Sequence, residues 1–303
     1  MSSQPHDLPR GIVPVLQTPF TKSGKVDADS LVNLIEVAVR DGANGFLAPV
    51  VASEVDFLTR TEREEIIRVL ASAADGRVPF IVGASSDDTK ECQHFARLAE
   101  QSRAAAYVVS VPQRLFGQSE ELFSFFRAIA RSCDLPLIIQ DLQWNGPGLQ
   151  VSTLVRLREH LPTLVGVKIE TSPAGPKYTA VRRELGEDFY ISGGWAIPQM
   201  IEAMDRGVNA LVPESSMVKV YSAVWRAHAG GDRPGALRIF RQLVPVLAFT
   251  NQEIGLSIAF FKRLLVRRGI FRSAAMRQPW TGWDQFSLRI ADEQIELYLE
   301  LEA

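Results

Sequence analysis

The 303-residue chain is poor in the residues that build metal and redox centres, with two cysteines and four histidines. Cys92 and Cys133 lie far apart, on segments patterned as helices. They read as reduced, small apolar residues rather than as a disulfide or a reactive pair. His6, His94, His160 and His228 fall in the N-terminal tail or on helix-patterned segments. No H-E-x-x-H and no Cys/His cluster is present, so no catalytic metal is expected. The chain also lacks a G-x-S-x-G elbow and a phosphate-cradling P-loop, and no G-x-G-x-x-G follows its first apolar run. The formal net charge of −2 gives no ground for a nucleic-acid partner. No run approaches the ~18 apolar residues of a membrane span. The opening MSSQPHDLPR has no apolar signal core. A cytoplasmic protein with no nucleic-acid and no membrane partner is expected.

What is present is an alternation. With 46% hydrophobic and 22% charged residues the composition is ordinary for a globular chain. Short apolar runs at 12–17, 45–50, 79–83, 105–111, 137–140, 164–169, 189–192 and 210–213 predict eight strands. Several are apolar almost throughout, as in parallel strands covered on both faces. Amphipathic segments lie between them. Leu31, Leu34, Ile35, Ala38 and Val39 keep helical spacing, with Asp27 or Asp29 as a cap and Gly42 as a stop. Leu122, Phe125, Phe126 and Ile129 repeat the pattern, as do Met200, Ile201 and Met204 before Gly207. A weak repeat, DGANGFLAPV, SRAAAYVVSV and RGVNALVPES, carries a helix end through a turn into a strand. The fold class is therefore α/β: a (β/α)₈ TIM barrel with a C-terminal helical extension. An open doubly wound sheet is the alternative. Residues 1–9 read as a flexible N-terminus, 10–230 as the barrel and 231–303 as the helical region, with helices over 233–268 and 287–301.

In such a barrel the strand C-terminal ends face the active site. The run LVGVKIE, 164–170, sets Lys168 in an otherwise apolar strand. An unpaired buried ammonium is costly, so the lysine either reaches solvent at the strand end or is kept for chemistry. Glu170, two residues on, shares its face. The other ends offer Gln17, Glu54, Ser110, Arg114, Gln140, Asp141, Ser192, Glu214 and Ser215: one amine among carboxylates and hydroxyls. That set suits Schiff-base chemistry, in which an amine attacks a ketone and the iminium withdraws electrons from the neighbouring carbon. Gly193-Gly194, before a helix expected from Ala196, is an anion site in outline, and a plain turn explains it as well.

Several motifs carry a resemblance over roughly residues 10–270. GIVPVLQTPFTKSGKVD (11–27), SEVDFLTRTERE (53–64), GVKIE (166–170) and ISGGWAIPQMIEAMDRGVNALV (191–212) are similar to those of the dihydrodipicolinate synthase / N-acetylneuraminate lyase family. That family consists of class I Schiff-base lyases on (β/α)₈ barrels. The resemblance implies that Lys168 forms the imine and that Ala52 and Ser53 lie in the substrate-carboxylate loop. It also implies that no separate cofactor is used and that the chain forms a homo-oligomer, a tetramer or a dimer.

The departures are as informative. The family's Gly-Thr-Thr-Gly-Glu loop is Val50-Val51-Ala52-Ser53-Glu54 here, and only Glu54 remains. The Tyr-Asn ending strand five is Gln140-Asp141, and a tyrosine pair after strand four is Gln113-Arg114. The family's phenol and hydroxyl relay is thus replaced. IIQD with GPGLQVS, VKIETSPAGPK and TNQEIGLSIAFFKRLLVRRGI resemble a branch that includes L-2-keto-3-deoxyarabonate dehydratases. The expectation is a lyase of a small 2-oxo acid, most simply a dehydratase of a 2-keto-3-deoxy sugar acid. Lys168 is the amine, and Glu54, Asp141 and Glu170 are acid–base candidates. Only one of Gln140 and Asp141 can face inward, and the resemblance points Gln140 into the site. Ala52, Ser53, Ser110, Arg114, Ser192, Gly193 and Gly194 are the candidate substrate contacts. The alternatives are an aldolase acting at C3–C4, a catalytically impaired barrel that binds sugar acids, and a sugar-phosphate aldolase using Gly193-Gly194.

Overall fold

The computed structural model describes residues 8–194 and 197–302. Each of the eight apolar runs forms a strand: β1 (Gly11–Ile12), β2 (Phe46–Ala48), β3 (Phe80–Gly83), β4 (Ala106–Ser110), β5 (Leu137–Leu142), β6 (Leu164–Glu170), β7 (Tyr190–Gly194) and β8 (Ala210–Val212). All are parallel, in one sheet ordered β1-β8-β7-β6-β5-β4-β3-β2. Val15 bridges both Leu47 and Glu214. The Leu16 N–H donates to the Leu47 carbonyl at 3.1 Å, and the Leu47 N–H to the Pro14 carbonyl at 3.1 Å. These contacts bring the first and last strands of that order together into a (β/α)₈ barrel. β1 is shorter than the run 12–17 because Pro14 has no N–H for the ladder. The N–H groups of Val13 and Val15 still reach the Leu211 and Pro213 carbonyls, at 2.9 and 2.7 Å.

Eight helices follow the strands: α1 (Ala28–Arg40), α2 (Arg60–Ala74), α3 (Thr89–Gln101), α4 (Ser119–Ala130), α5 (Val151–His160), α6 (Gly175–Leu185), α7 (Met200–Asp205) and α8 (Val218–Ala229). Their starts follow local chemistry. The Asp27 carboxylate accepts the Ser30 N–H at the head of α1, and Thr59 with Glu62 forms a capping box on α2. Cys133 lies beyond the end of α4, in the following loop, and not on a helix as its pattern suggested. Ala196, from which a helix was expected, falls outside the described residues, and α7 starts at Met200. Three more helices, α9 (Arg233–Thr250), α10 (Ile254–Arg267) and α11 (Gln285–Glu302), make the extension. The stretch 233–268 is not one helix. The Glu253 carboxylate accepts the Gly255 and Leu256 N–H groups at 2.8 and 2.9 Å and starts α10 afresh. Among the described residues no helix is long and apolar enough to cross a membrane.

Strand parity sorts the core into two layers. Val167 and Ile169 of β6 point outward into the large cluster between sheet and helices, together with Ile139 and Ile191. Val13, Val15, Ile81, Val108, Ile138 and Tyr190 fill the barrel interior. Each such aliphatic side chain contributes roughly 1.5–3 kcal/mol on burial. Gly166, Lys168 and Glu170 take the inward parity of β6. The lysine therefore ends inside the barrel mouth instead of reaching solvent.

Candidate active site

Register sets the floor of the site. Ser110 pairs with Gln140, Gln140 with Lys168, and Lys168 with Ser192. Four polar side chains thus stand in one row across β4–β7. Lys168 is 3% exposed. Its Nζ lies 2.7 Å from Glu170 Oε2. Gln140 Nε2 donates to the same carboxylate oxygen at 2.6 Å, and Ser110 Oγ donates to Gln140 Oε1 at 2.7 Å. The Ser110 N–H in turn bonds Ser85 Oγ at 2.9 Å. The chain of contacts fixes the Gln140 amide and, through it, the Glu170 carboxylate that faces the amine. Gly194 leaves room for them, since a Cβ there would meet the Glu170 carboxylate and stand 2.7 Å from Lys168 Cε.

A chamber of about 50 Å³ opens over this row. Lys168, Glu170 and Gln140 line it together with Val51, Ala52 and Glu214. Trp144, Ile254 and Ser257 bound it from the β5–α5 loop and the extension. Beside it a larger chamber of about 710 Å³ shares Glu170, Trp144 and Ile254. A third of about 420 Å³ shares Val51, Trp144 and Ile254.

The family model for the "Dihydrodipicolinate synthetase family" matches residues 8–291. This chain belongs to the dihydrodipicolinate synthetase family. It is 34% identical over 243 residues to a 4-hydroxy-tetrahydrodipicolinate synthase of Chelativorans sp., covering 78% of this chain and 81% of that one. It is 36% identical over 167 residues to the enzyme of that name from Rhizobium meliloti, 54% of this chain and 55% of that one. Among solved structures, dihydrodipicolinate synthase from Rhodopseudomonas palustris superposes with a TM-score of 0.87 at 20% identity, covering 98% and 99% of the two chains. YagE, a prophage protein of the family from E. coli K12 crystallised in complex with pyruvate, gives 0.85 at 20% identity, covering 97% and 98%. The family is one of lyases.

Within this family framework, several residues expected at the site stand elsewhere. Asp141 takes the outward parity of β5 and pairs with Lys177 of α6. Its other oxygen accepts the Leu149 N–H at 2.9 Å. Burial pushes the Asp141 carboxyl up and the Lys177 ammonium down, each opposed by its partner. Glu54, in the left-handed region at φ 60°, pairs with Lys262 of α10 and accepts the Arg277 N–H at 2.8 Å. It borders the third chamber and does not line the one above Lys168. The Ser53 hydroxyl donates to the Leu16 carbonyl at 2.6 Å and accepts the Val50 N–H at 3.1 Å, so it ties the loop to the barrel. Arg114 is exposed and donates to the Asp87 carbonyl at 3.2 Å. Gly193 faces outward, where a Cβ would meet the Tyr178 hydroxyl. Ala52, Ser110, Ser192 and Gly194 remain at or beside the row.

Glu214 was visible at the end of strand eight without a role. It lines the Lys168 chamber and accepts the Ser216 and Met217 N–H groups. Burial pushes its carboxyl up to about 7 against those hydrogen bonds. Trp144 and Ile254, which border all three chambers, left no signal at strand ends, because one sits in a loop and the other at the head of α10.

Proposed function

We propose that this protein is a class I, Schiff-base-forming lyase of a small 2-oxo acid, and that its reaction is the dehydration of a 2-keto-3-deoxy sugar acid. The observation that carries this reading is the buried contact of Lys168 Nζ with Glu170 Oε2 at 2.7 Å. An amine must be neutral to attack a carbonyl, and Glu170 stands where it can take the ammonium proton. Lys168 then adds to C2, and Glu170 gives the proton it took to the carbinolamine hydroxyl, which leaves as water to form an iminium. The iminium draws electrons from the C3–H bond, and Glu170, returned to its carboxylate form, accepts that proton. The resulting enamine expels the C4 hydroxyl, which takes the C3 proton from Glu170 and leaves as water. Hydrolysis of the imine frees Lys168, so the substrate loses one water in all. The lysine imine is the electron sink, and no separate cofactor enters.

Gln140, standing where the family carries a tyrosine, orients Glu170 by hydrogen bonding and cannot relay a proton itself. We assign Ala52, on the chamber wall, and Ser192, beside Lys168 in the row, to the substrate's carboxylate end. The motif resemblance to the L-2-keto-3-deoxyarabonate dehydratase branch supports dehydration. C3–C4 cleavage from the same iminium would instead release pyruvate and an aldehyde. The expected assembly is a homo-oligomer, a dimer or tetramer, which sedimentation measures.

Borohydride reduction after incubation with pyruvate, followed by mass analysis, is the direct test. An adduct on Lys168 is expected. Absence of one with every 2-oxo acid tried ends the Schiff-base reading. Turnover of a 2-keto-3-deoxy pentonate and hexonate then separates a product short of one water from pyruvate plus aldehyde.

A further inference from the structure

The third chamber, of about 420 Å³, has the size of a small-molecule site, roughly 300–1,000 Å³. It meets the Lys168 chamber at Val51, Trp144 and Ile254, so apolar side chains wall the passage between the two. Its lining is rich in rings and aliphatic groups: Phe57, Trp144, Ile254, Ile258, Met276 and Trp280. Much of that surface is open to a ligand. Phe57 is 47% and Trp144 44% exposed, two of the few large apolar side chains left exposed among the described residues. Exposed apolar surface gathered at one place marks a binding groove. The walls are held in place. Ile254 and Ile258 stand four apart on α10 and share one face. Met276 and Trp280 come from the loop after α10. There the Arg277 N–H donates to Glu54 at 2.8 Å and the Arg277 guanidinium to Glu62 at 2.7 Å. Trp280 meets Trp283 edge-on, with ring centroids 4.7 Å apart. Of the polar groups, Glu54 is paired with Lys262 and Glu253 caps α10, while Asp56, Gln278 and Thr281 are exposed. Among the described residues no lysine, arginine or histidine lines the chamber.

We infer that this chamber is a subsite for an aromatic ring at the far end of a 2-oxo acid, so that aryl-tailed 2-oxo acids are a second class of compound that Lys168 takes up as an imine. The inference goes beyond the sugar-acid reading and rests on it only for Lys168 as the imine-forming amine. The 2-oxo acid end occupies the small chamber, and the tail runs past Val51, Trp144 and Ile254. A phenyl ring then meets Phe57, Trp144 and Trp280, which favour offset or edge-to-face contact, and it removes their apolar surface from water. A polyhydroxy tail in the same place would exchange water for side chains that return few hydrogen bonds. An anionic tail would face Asp56 and Glu253 with no lining cation to pair with.

The experiment titrates imine formation on Lys168 with pyruvate, with 2-oxo acids bearing phenyl on C4, C5 or C6, and with a 2-keto-3-deoxy hexonate, each sample quenched with borohydride and weighed. The best phenyl acid is expected to half-saturate Lys168 at least about tenfold below pyruvate, the scale on which apolar contacts in a pocket discriminate. Phe57→Ser and Trp280→Ala are each expected to reduce that advantage about two- to tenfold, the range for aromatic pairs. The ratio of hexonate to pyruvate should stay where it was. Phe57 is 47% exposed and can be replaced without disturbing the core, so Phe57→Ser decides alone if Trp280→Ala does not fold. A phenyl acid no tighter than pyruvate at every tether length overturns the inference. An advantage that survives in Phe57→Ser and in folded Trp280→Ala overturns it too, because the ring then lies elsewhere. An equal loss for the hexonate overturns the preference for rings. If no 2-oxo acid forms an imine, the lyase reading fails by itself. Equilibrium dialysis of the phenyl acids against wild type and Phe57→Ser then decides the subsite by the same loss.

Discussion

The Glu54–Lys262 pair separates a structural carboxylate from a catalytic one. Glu54 is 3% exposed and Lys262 fully buried. Besides Glu54, the ammonium has the Ala275 carbonyl at 3.0 Å and the Phe20 ring, 4.4 Å from its centroid. Lys262→Met leaves the carboxylate with one backbone partner, the Arg277 N–H. Breaking a buried pair from one side costs about 3–5 kcal/mol. Glu54→Gln is milder, about 1–3 kcal/mol, because burial already pushes Lys262 down and it can give up its proton. In the double variant Glu54→Gln/Lys262→Met no charge remains buried. Neutral replacements of buried pairs are often near neutral, so the double should recover most of the summed single losses of about 4–8 kcal/mol relative to additivity. Urea midpoints of the four proteins measure this, with pyruvate trapping on Lys168 run on each. Trapping is expected to survive in the double variant. A double variant no more stable than its weaker parent refutes the coupling. A Glu54→Gln protein of unchanged stability that no longer forms the imine refutes the structural assignment and returns Glu54 to acid–base work.

Other expectations follow from the same geometry. Glu214 holds its proton up to about 7 in the fold against an ordinary carboxyl value of 4.5. The native state therefore binds the proton more tightly, and this contribution, about 3 kcal/mol, is fully present below 4.5 and lost as pH rises through about 7. Urea midpoints of wild type should fall across that window and those of Glu214→Gln should stay flatter; parallel slopes would refute it. Gly194→Ala places a methyl on the Glu170 carboxylate and against Lys168 Cε. Imine formation should drop about a hundredfold for a stability loss of about 1–3 kcal/mol, and full activity would show that the row can move aside. Lys177→Met strands the fully buried Asp141 and should lower stability by about 3–5 kcal/mol, whereas Asp141→Asn should leave Lys168 trapping intact. Loss of trapping in folded Asp141→Asn would contradict the outward placement.

The barrel was legible because several strands are apolar almost throughout and helices such as α1 and α7 meet a stop at Gly42 and Gly207, so local signals agreed with the global fold. The floor of the site was legible for a related reason: period-two parity is fixed by the chain itself. Lys168 and Glu170 share a face, and of Gln140 and Asp141 only one can. Parity also separates Gly193 from Gly194: along β7 only Gly194 shares the inward face of Ser192. Charge alone could not show which carboxylates were free. Asp141 finds its lysine 36 positions away, and Glu54 finds its own 208 positions away, on a helix of the extension. A sequence motif preserves such a glutamate equally well whether it moves protons or locks a helix to the barrel. The same separation hid the walls. Trp144, Asn251 and Ile254 come from a loop and from the junction of α9 and α10, where no periodicity marks a side chain as inward. The proposed reaction class therefore rests on one strand, and the walls around it on contacts between distant segments. That is why the candidate amine could be named from five residues of β6, while the walls of the chamber needed the fold.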